Sequence, residues 1–159
     1  MTNTSGKLLP RTMKQITAKK FKAAVKLDPA WALTLTEPVE ITGYCNMEGS
    51  EISHLSPLLH FAGGNAKRDA ASFCWCKNLK VAEGNFAGCV KFCDSGVETI
   101  GKIHISSPNL EGFAAHFCRC ENLKVAEGTF QGLVCFSHSG ITRIGKLITA
   151  TDSEGNAAY

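Results

Sequence analysis

Short stretches of alternating apolar and polar residues, separated by glycine, recur along the second half of the chain. Residues 79–81 and 90–92 each place a lysine between two apolar residues, and residues 97–105 continue the alternation with β-branched side chains. A period of two predicts half-buried β-strands. Ser-Gly pairs at 95–96 and 139–140 indicate turns, and residues 114–117 are interpreted as one helical turn. The pattern therefore predicts a β-rich fold of short strands.

This pattern repeats itself at a fixed period. The segment that begins at Phe73 recurs from Phe117, and about 19 of 33 aligned positions are identical without a gap. The shared positions are mostly apolar residues and glycines, and a diverged copy precedes them at about residues 39–72. Repeats of about 44 residues predict a solenoid, in which each unit stacks on its neighbour and shares one core with it.

Each unit is predicted to contain two coils, about 19 and 25 residues long, near the length range of leucine-rich repeats. The run F-x-x-C-x-x-L opens the first coil as FCWCKNL and FCRCENL, each preceded by Ala-Ala, and ITRIG occupies 141–145. These motifs resemble the repeat core of bacterial surface-antigen type leucine-rich repeat proteins. The resemblance implies a leucine-rich-repeat-like solenoid of short parallel strands, with a role in adhesion or protein binding.

The N-terminal part differs from the repeats and predicts a separate cap. Residues 1–36 form a basic lead and helical cap, with a helix over 12–27 and a shorter one over 30–33, after Asp28-Pro29. Phe21, Trp31 and Leu33 are expected to cover the open end of the solenoid. The solenoid itself is assigned to residues 37–159, divided into 39–72, 73–116 and 117–159.

Positive charge is concentrated in this N-terminal part. The net charge of the chain is +3, but residues 1–27 carry seven basic residues and no acidic one. Lys19, Lys20 and Lys22 are candidate contacts for a nucleic acid or an anionic membrane. The alternative is a helical cap whose lysines are simply solvated.

The eight cysteines include two C-x-C motifs, Cys74 with Cys76 and Cys118 with Cys120. Four thiolates are a possible zinc site. However, equivalent residues two coils apart lie about 10 Å from each other, which is too far for one ion or a disulfide. Reduced, buried thiols are therefore expected, with no metal and no cofactor.

Repeat-equivalent polar residues are the candidate partner-binding positions. The motif LKVAEG occurs twice and supplies Lys80, Glu83, Lys124 and Glu127, which form either a binding surface or a solvated charged face. The equivalent histidines His60 and His104 are expected on a solvated strand face. The sequence contains no recognisable catalytic motif and no Walker or dinucleotide-binding motif. A protein-binding role without catalysis is therefore predicted.

The last repeat predicts a further contact. Residues 157–158 match the Ala-Ala pairs that precede earlier coils, but no further coil follows them in this sequence. Residues 141–149 would then have no coil stacked on them, and they are expected to expose Ile144, Leu147 and Ile148. This exposed segment predicts self-association, binding of another protein, or a longer repeat array. The N-terminus has no apolar leader and the chain has no long apolar run, which favours a cytoplasmic location by default.

Overall fold

The computed structural model describes residues 13–149, in which parallel strands predominate. Helical structure in this range comprises α1 (Ala18–Leu27) and a single 3₁₀ turn (Trp31–Thr34). A larger sheet has the order β1-β2-β4-β6-β8-β10-β12 and contains seven strands. These are β1 (Lys14–Thr17), β2 (Val39–Thr42), β4 (Leu59–Phe61), β6 (Val81–Phe86), β8 (Thr99–Ile105), β10 (Val125–Phe130) and β12 (Arg143–Thr149). A smaller sheet has the order β11-β9-β7-β5-β3. Its strands are β3 (Cys45–Asn46), β5 (Asp69–Ser72), β7 (Cys89–Lys91), β9 (Phe113–His116) and β11 (Leu133–Cys135).

From β2 onward the chain alternates between the two sheets. Successive strands of the larger sheet are therefore spatial neighbours, and every recorded pair of strands is parallel. His60 lies beside Asn85, Asn85 beside His104, and His104 beside Thr129. These registers give spacings of about 25, 19 and 25 residues, as predicted for the two coils of a repeat. The β-rich character of the fold and its parallel strands are thus confirmed, and they are compatible with a repeat-like architecture.

Two rows of large apolar side chains fill the space between the sheets. In the row from the smaller sheet, the rings of Phe73, Phe92, Phe117 and Phe136 stack with centroid separations of 5.4, 5.0 and 5.5 Å. In the row from the larger sheet, Phe61 stacks on Phe86 at 4.7 Å. Stacked aromatic pairs add about 0.5–1.5 kcal/mol to the stabilisation from buried area. The burial of Phe92 and Phe136 at equivalent places was predicted from the repeat.

The N-terminal cap is shorter than predicted. Residues 14–17 are not helical, because they pair with β2 and extend the larger sheet. Helix α1 starts after Thr17, whose Oγ1 accepts a hydrogen bond from Lys20 N at 3.2 Å. Phe21 is buried against Phe61 and Trp31, as expected, but the expectation for Leu33 was wrong because that side chain is 60% exposed.

Two local predictions in the repeats were also wrong. The segment predicted as a helical turn at 114–117 lies mostly in strand β9, because Ala115 and His116 pair with β7 and β11. The strand predicted at 79–81 only begins at Val81, and it continues through Gly84 to Phe86. Gly84 has a φ of +119°, a backbone angle that residues other than glycine rarely adopt. The register between β6 and β8 shifts next to it. This irregularity interrupts the simple alternation from which strands are predicted.

Across residues 13–149, none of the helical segments has the length and apolar character needed to cross a membrane.

Candidate functional site

Polar and sulfur-bearing residues gather on the outer face of the smaller sheet. The last positions of its strands form a strand-end row, which consists of Asn46, Ser72, Lys91, His116 and Cys135. Two residues further along the chain, each coil contributes to a second row. This thiol row consists of Glu48, Cys74, Cys93, Cys118 and Ser137. The residue between the two rows is the buried Met or Phe of each coil, so both rows turn away from the aromatic core.

At the start of strand β5 lies a buried carboxylate. Asp69 is 1% exposed and accepts hydrogen bonds from Asn65 Nδ2 at 3.1 Å, Asn109 Nδ2 at 3.3 Å and Lys91 Nζ at 2.7 Å. Burial raises the pKa of the Asp69 carboxyl, but the hydrogen bonds from Lys91, Asn65 and Asn109 outweigh it and hold this pKa below its ordinary value. Asp69 and Lys91 therefore form an ion pair that connects β5 to β7, and the two asparagines complete the hydrogen bonding of the carboxylate.

In the middle of the face, Cys74 and Cys93 are adjacent. A hydrogen bond from the Cys93 thiol is the main reason why the pKa of Cys74 falls to about 6, although burial opposes the change. The same contact raises the pKa of Cys93. Of this pair, Cys74 is therefore the thiol with the lower pKa.

At one end of the face, His116, Cys118 and Cys135 converge. One nitrogen of the imidazole and the two sulfur atoms all lie within 4.8 Å of one another, and Cys118 Sγ is 3.0 Å from Cys135 Sγ. All three residues are half-buried. Burial raises the pKa of the Cys135 thiol, but hydrogen bonds from Cys118 and Ser137 outweigh it and lower that pKa. The Phe113 ring packs on the imidazole with a centroid separation of 4.4 Å, which fixes its position.

The second cysteine of each C-x-C motif has a different environment. Cys76 Sγ donates to Met47 O and Cys120 Sγ donates to Phe92 O, each at 3.0 Å. Each sulfur also lies 3.5 Å from the hydroxyl oxygen of a serine in the preceding coil, Ser50 or Ser95. Cys76 and Cys120 are fully buried, so their contacts hold successive coils together, as the structural interpretation of these cysteines predicts.

The four residues of the LKVAEG motifs contact their own coil or the next one. Lys80 Nζ forms an ion pair with Glu98 Oε1 at 2.7 Å, and Lys124 Nζ donates to Glu121 O at 3.4 Å. Glu83 Oε1 accepts from Lys102 N at 3.3 Å. Its carboxylate occupies the space that a side chain at residue 101 would need, and the carboxylate of Glu127 does the same at residue 145. The two glutamates thus cover glycines of the next coil.

The remaining candidates lie on α1 and on the larger sheet, and Lys22 contacts the strand-end row at Asn46. Lys19, Lys20 and Lys22 are exposed on α1, and Lys22 Nζ donates to Asn46 O at 3.3 Å. His60 and His104 flank Asn85 on the outer face of the larger sheet, as predicted. The structure does not bring these residues together with the repeat lysines and glutamates into one site.

Sequence reasoning missed Cys93, Cys135 and His116 as neighbours of Cys118. The signal was present in the half-repeats, because SFCWC, KFCDS, HFCRC and CFSHS align with one another around a common Phe. A period of 44 residues aligns Cys74 with Cys118 but not with Cys93, which lies in the coil between them. The search for related proteins adds no further candidate: no family model, curated protein or solved structure matches this chain.

Proposed function

We propose that this chain is a non-catalytic repeat solenoid that binds another protein by adding a strand to β12. The regular alternation between two parallel sheets supports the solenoid. So does the sequence of equivalent loops after the strands of the smaller sheet, where Gly49, Trp75, Asp94 and Arg119 each donate a backbone hydrogen bond to the next coil at 2.9–3.0 Å. Solenoids of this kind serve as scaffolds for macromolecular recognition.

The observation that carries the proposal is the exposed edge at β12. This strand is the last member of the larger sheet within residues 13–149, so one side of its backbone has no strand neighbour there. Ile144 is 58% exposed and Ile148 is 48% exposed. An open edge with apolar side chains is the feature that strand addition uses, because the backbone supplies affinity and alternate side chains supply specificity.

A buried serine hydroxyl at the same end of the fold lacks the partner that its equivalents have in earlier coils. Ser50 and Ser95 each lie against a cysteine of the next coil, and Ser139 is the equivalent serine of the last described coil. Ser139 Oγ is buried and has no hydrogen-bond partner among the described residues. An unsatisfied buried hydroxyl costs about 1–3 kcal/mol, so a partner that supplied a donor or acceptor here would recover that energy.

Charge on the edge strand indicates the chemistry of the partner. Arg143 and Lys146 are exposed on β12, so two copies paired through this edge would bring like charges together. An extended segment that alternates apolar and acidic residues complements both the isoleucines and the cations. We therefore assign the edge to a partner protein with such a segment rather than to a second copy of this chain.

A labelled peptide of alternating valine and glutamate tests the proposal by fluorescence polarisation, with a valine–lysine peptide as its matched control. We expect binding of the acidic peptide alone. Ile148→Gln should weaken it, whereas His104→Ala, on the outer face of the same sheet, should leave it unchanged. Equal binding of both peptides, or no effect of Ile148→Gln, would refute the assignment. Light scattering that shows a dimer lost in Ile148→Gln would instead identify a second copy as the partner.

The exposed lysines of α1 favour a second candidate, a scaffold whose basic helix binds a nucleic acid or an anionic membrane. Lys19, Lys20 and Lys26 are exposed, and the first turn of the helix contains no acidic residue. Such binding depends steeply on salt because it releases counterions. Vesicles that contain phosphatidylserine, and a DNA duplex, serve as probes. Lys19→Glu with Lys20→Glu should abolish salt-dependent binding if this candidate is correct and should not affect the valine–glutamate peptide.

A further inference from the structure

The three donors at the end of the smaller sheet match a metal-binding set. His116, Cys118 and Cys135 offer one imidazole nitrogen and two sulfurs, all within 4.8 Å of one another. They come from two adjacent coils, because His116 pairs with Cys135 across the sheet and Cys118 lies two residues after His116. The site is therefore set by the stacking of the coils and not by a local sequence motif.

We infer that His116, Cys118 and Cys135 bind a zinc-class metal ion as a three-ligand site, with a fourth position open to solvent. Zinc prefers tetrahedral coordination by thiolate sulfur and imidazole nitrogen, at about 2.3 Å and 2.0–2.1 Å. Sulfur atoms on such an ion lie about 3.8 Å apart. The separation of 3.0 Å between Cys118 Sγ and Cys135 Sγ would thus have to increase by less than 1 Å, which side-chain rotation provides.

Charge favours a divalent thiophilic ion such as zinc over monovalent copper. Two thiolates and a neutral imidazole balance a divalent cation, whereas a monovalent copper ion would leave one negative charge. Oxygen-seeking ions such as magnesium and calcium are disfavoured because the set contains no oxygen ligand. The nearest cation on the neighbouring strand is Lys91, and its charge is already paired with Asp69.

The half-buried position of the three residues suits an exchangeable ion. The three residues are partly exposed, so a metal can enter without unfolding of the coil, and Phe113 packs against the imidazole. This inference is independent of the partner edge at β12.

Cobalt(II) is the probe for this site, in the reduced full-length chain freed of metals with a chelator. We expect one equivalent to give thiolate-to-cobalt charge-transfer absorption and intense visible bands of tetrahedral cobalt, both removed by one equivalent of zinc. Cys135→Ser and His116→Asn should each lower the affinity about tenfold or more. Cys74→Ser is the matched control, because it removes a thiol of the same row outside the trio, and it should leave the spectrum unchanged.

A measurement on the wild-type chain keeps the test valid if a variant misfolds. Zinc titration in two buffers of different ionisation enthalpy counts the protons that leave the thiols, and native mass spectrometry counts the ions bound. One zinc per chain with proton release supports the site. Absence of thiolate–cobalt absorption in the reduced wild type, or an equal loss of affinity in Cys74→Ser and Cys135→Ser, would overturn it.

Discussion

Lys91 Nζ lies 2.7 Å from Asp69 Oδ2, and this ion pair joins adjacent strands of the smaller sheet. The carboxylate is almost fully buried, whereas the lysine side chain is 31% exposed. Two asparagines from the loops before β5 and β9 complete the hydrogen bonding of Asp69. The pair thus connects two strands with two loops that lie about 40 residues apart in sequence.

Removal of the lysine should destabilise the fold. We expect Lys91→Met to cost about 2–3 kcal/mol of unfolding free energy, somewhat below the range for a fully buried pair because Lys91 is partly exposed. Arg119→Met is the matched control, since Arg119 Nη2 lies 2.6 Å from Asp94 Oδ2 but its side chain is 61% exposed. Urea titration should show a small effect for Arg119→Met. Equal losses in both variants would contradict the structural role of Asp69.

Acid should weaken the same ion pair. Because the pKa of Asp69 is lower in the folded chain than in the unfolded chain, its stabilising contribution is complete above the ordinary Asp pKa of about 3.9. It disappears as the pH falls through the lower, folded value. The difference in unfolding free energy between wild type and Asp69→Asn should therefore be larger at about pH 6 than at about pH 2. A difference that stays constant over this range would show that Asp69 is not the titrating group.

The aromatic row gives a graded prediction. Phe92 is fully buried and stacks on both Phe73 and Phe117, so Phe92→Ala should cost about 3–5 kcal/mol. Phe136 is 8% exposed and stacks only on Phe117 among the described aromatic rings. Phe136→Ala should therefore cost less, about 3 kcal/mol, at the lower end of that range. Denaturant titrations of the two variants compare them directly, and a larger loss for Phe136→Ala would mean that the end of the row is covered by other residues.

A turn glycine should be intolerant of any side chain. A Cβ atom at Gly96 would collide with the carbonyl oxygen of Lys77, which belongs to the backbone of the preceding coil. Gly96→Ala should therefore destabilise the protein by about 1–3 kcal/mol, the usual cost of overpacking. At Gly64 the nearest atom to a new Cβ lies 3.4 Å away, at ordinary contact distance. Gly64→Ala should change the midpoint of thermal unfolding little, and an equal effect in both variants would contradict this placement of the coils.

The repeat allowed much of the core to be predicted, because a fixed period forces equivalent residues into equivalent contacts. Phe92 and Phe136 follow directly from that rule, as do His60 and His104 on the outer face. The Asp69 network could not be predicted in this way, since Asn65 and Asn109 reach it from loops whose course depends on the packed coils. The trio around Cys118 was hidden for a different reason. Its members belong to successive half-repeats. Cys135 lies beside His116 because the short coil of 19 residues separates them, and a comparison at the full period of 44 residues does not pair them.

The loops of the smaller sheet contain a column of residues with positive φ: Gly49, Trp75, Asp94, Arg119 and His138. Five chemically different residues thus occupy one backbone geometry, on neighbouring coils about 4.8 Å apart. The fold fixes the path of the chain at these positions but not the identity of the side chain. The column is therefore a natural place for diversification. A library that varies these five positions without proline or β-branched residues should retain the core while it changes a regular strip of surface.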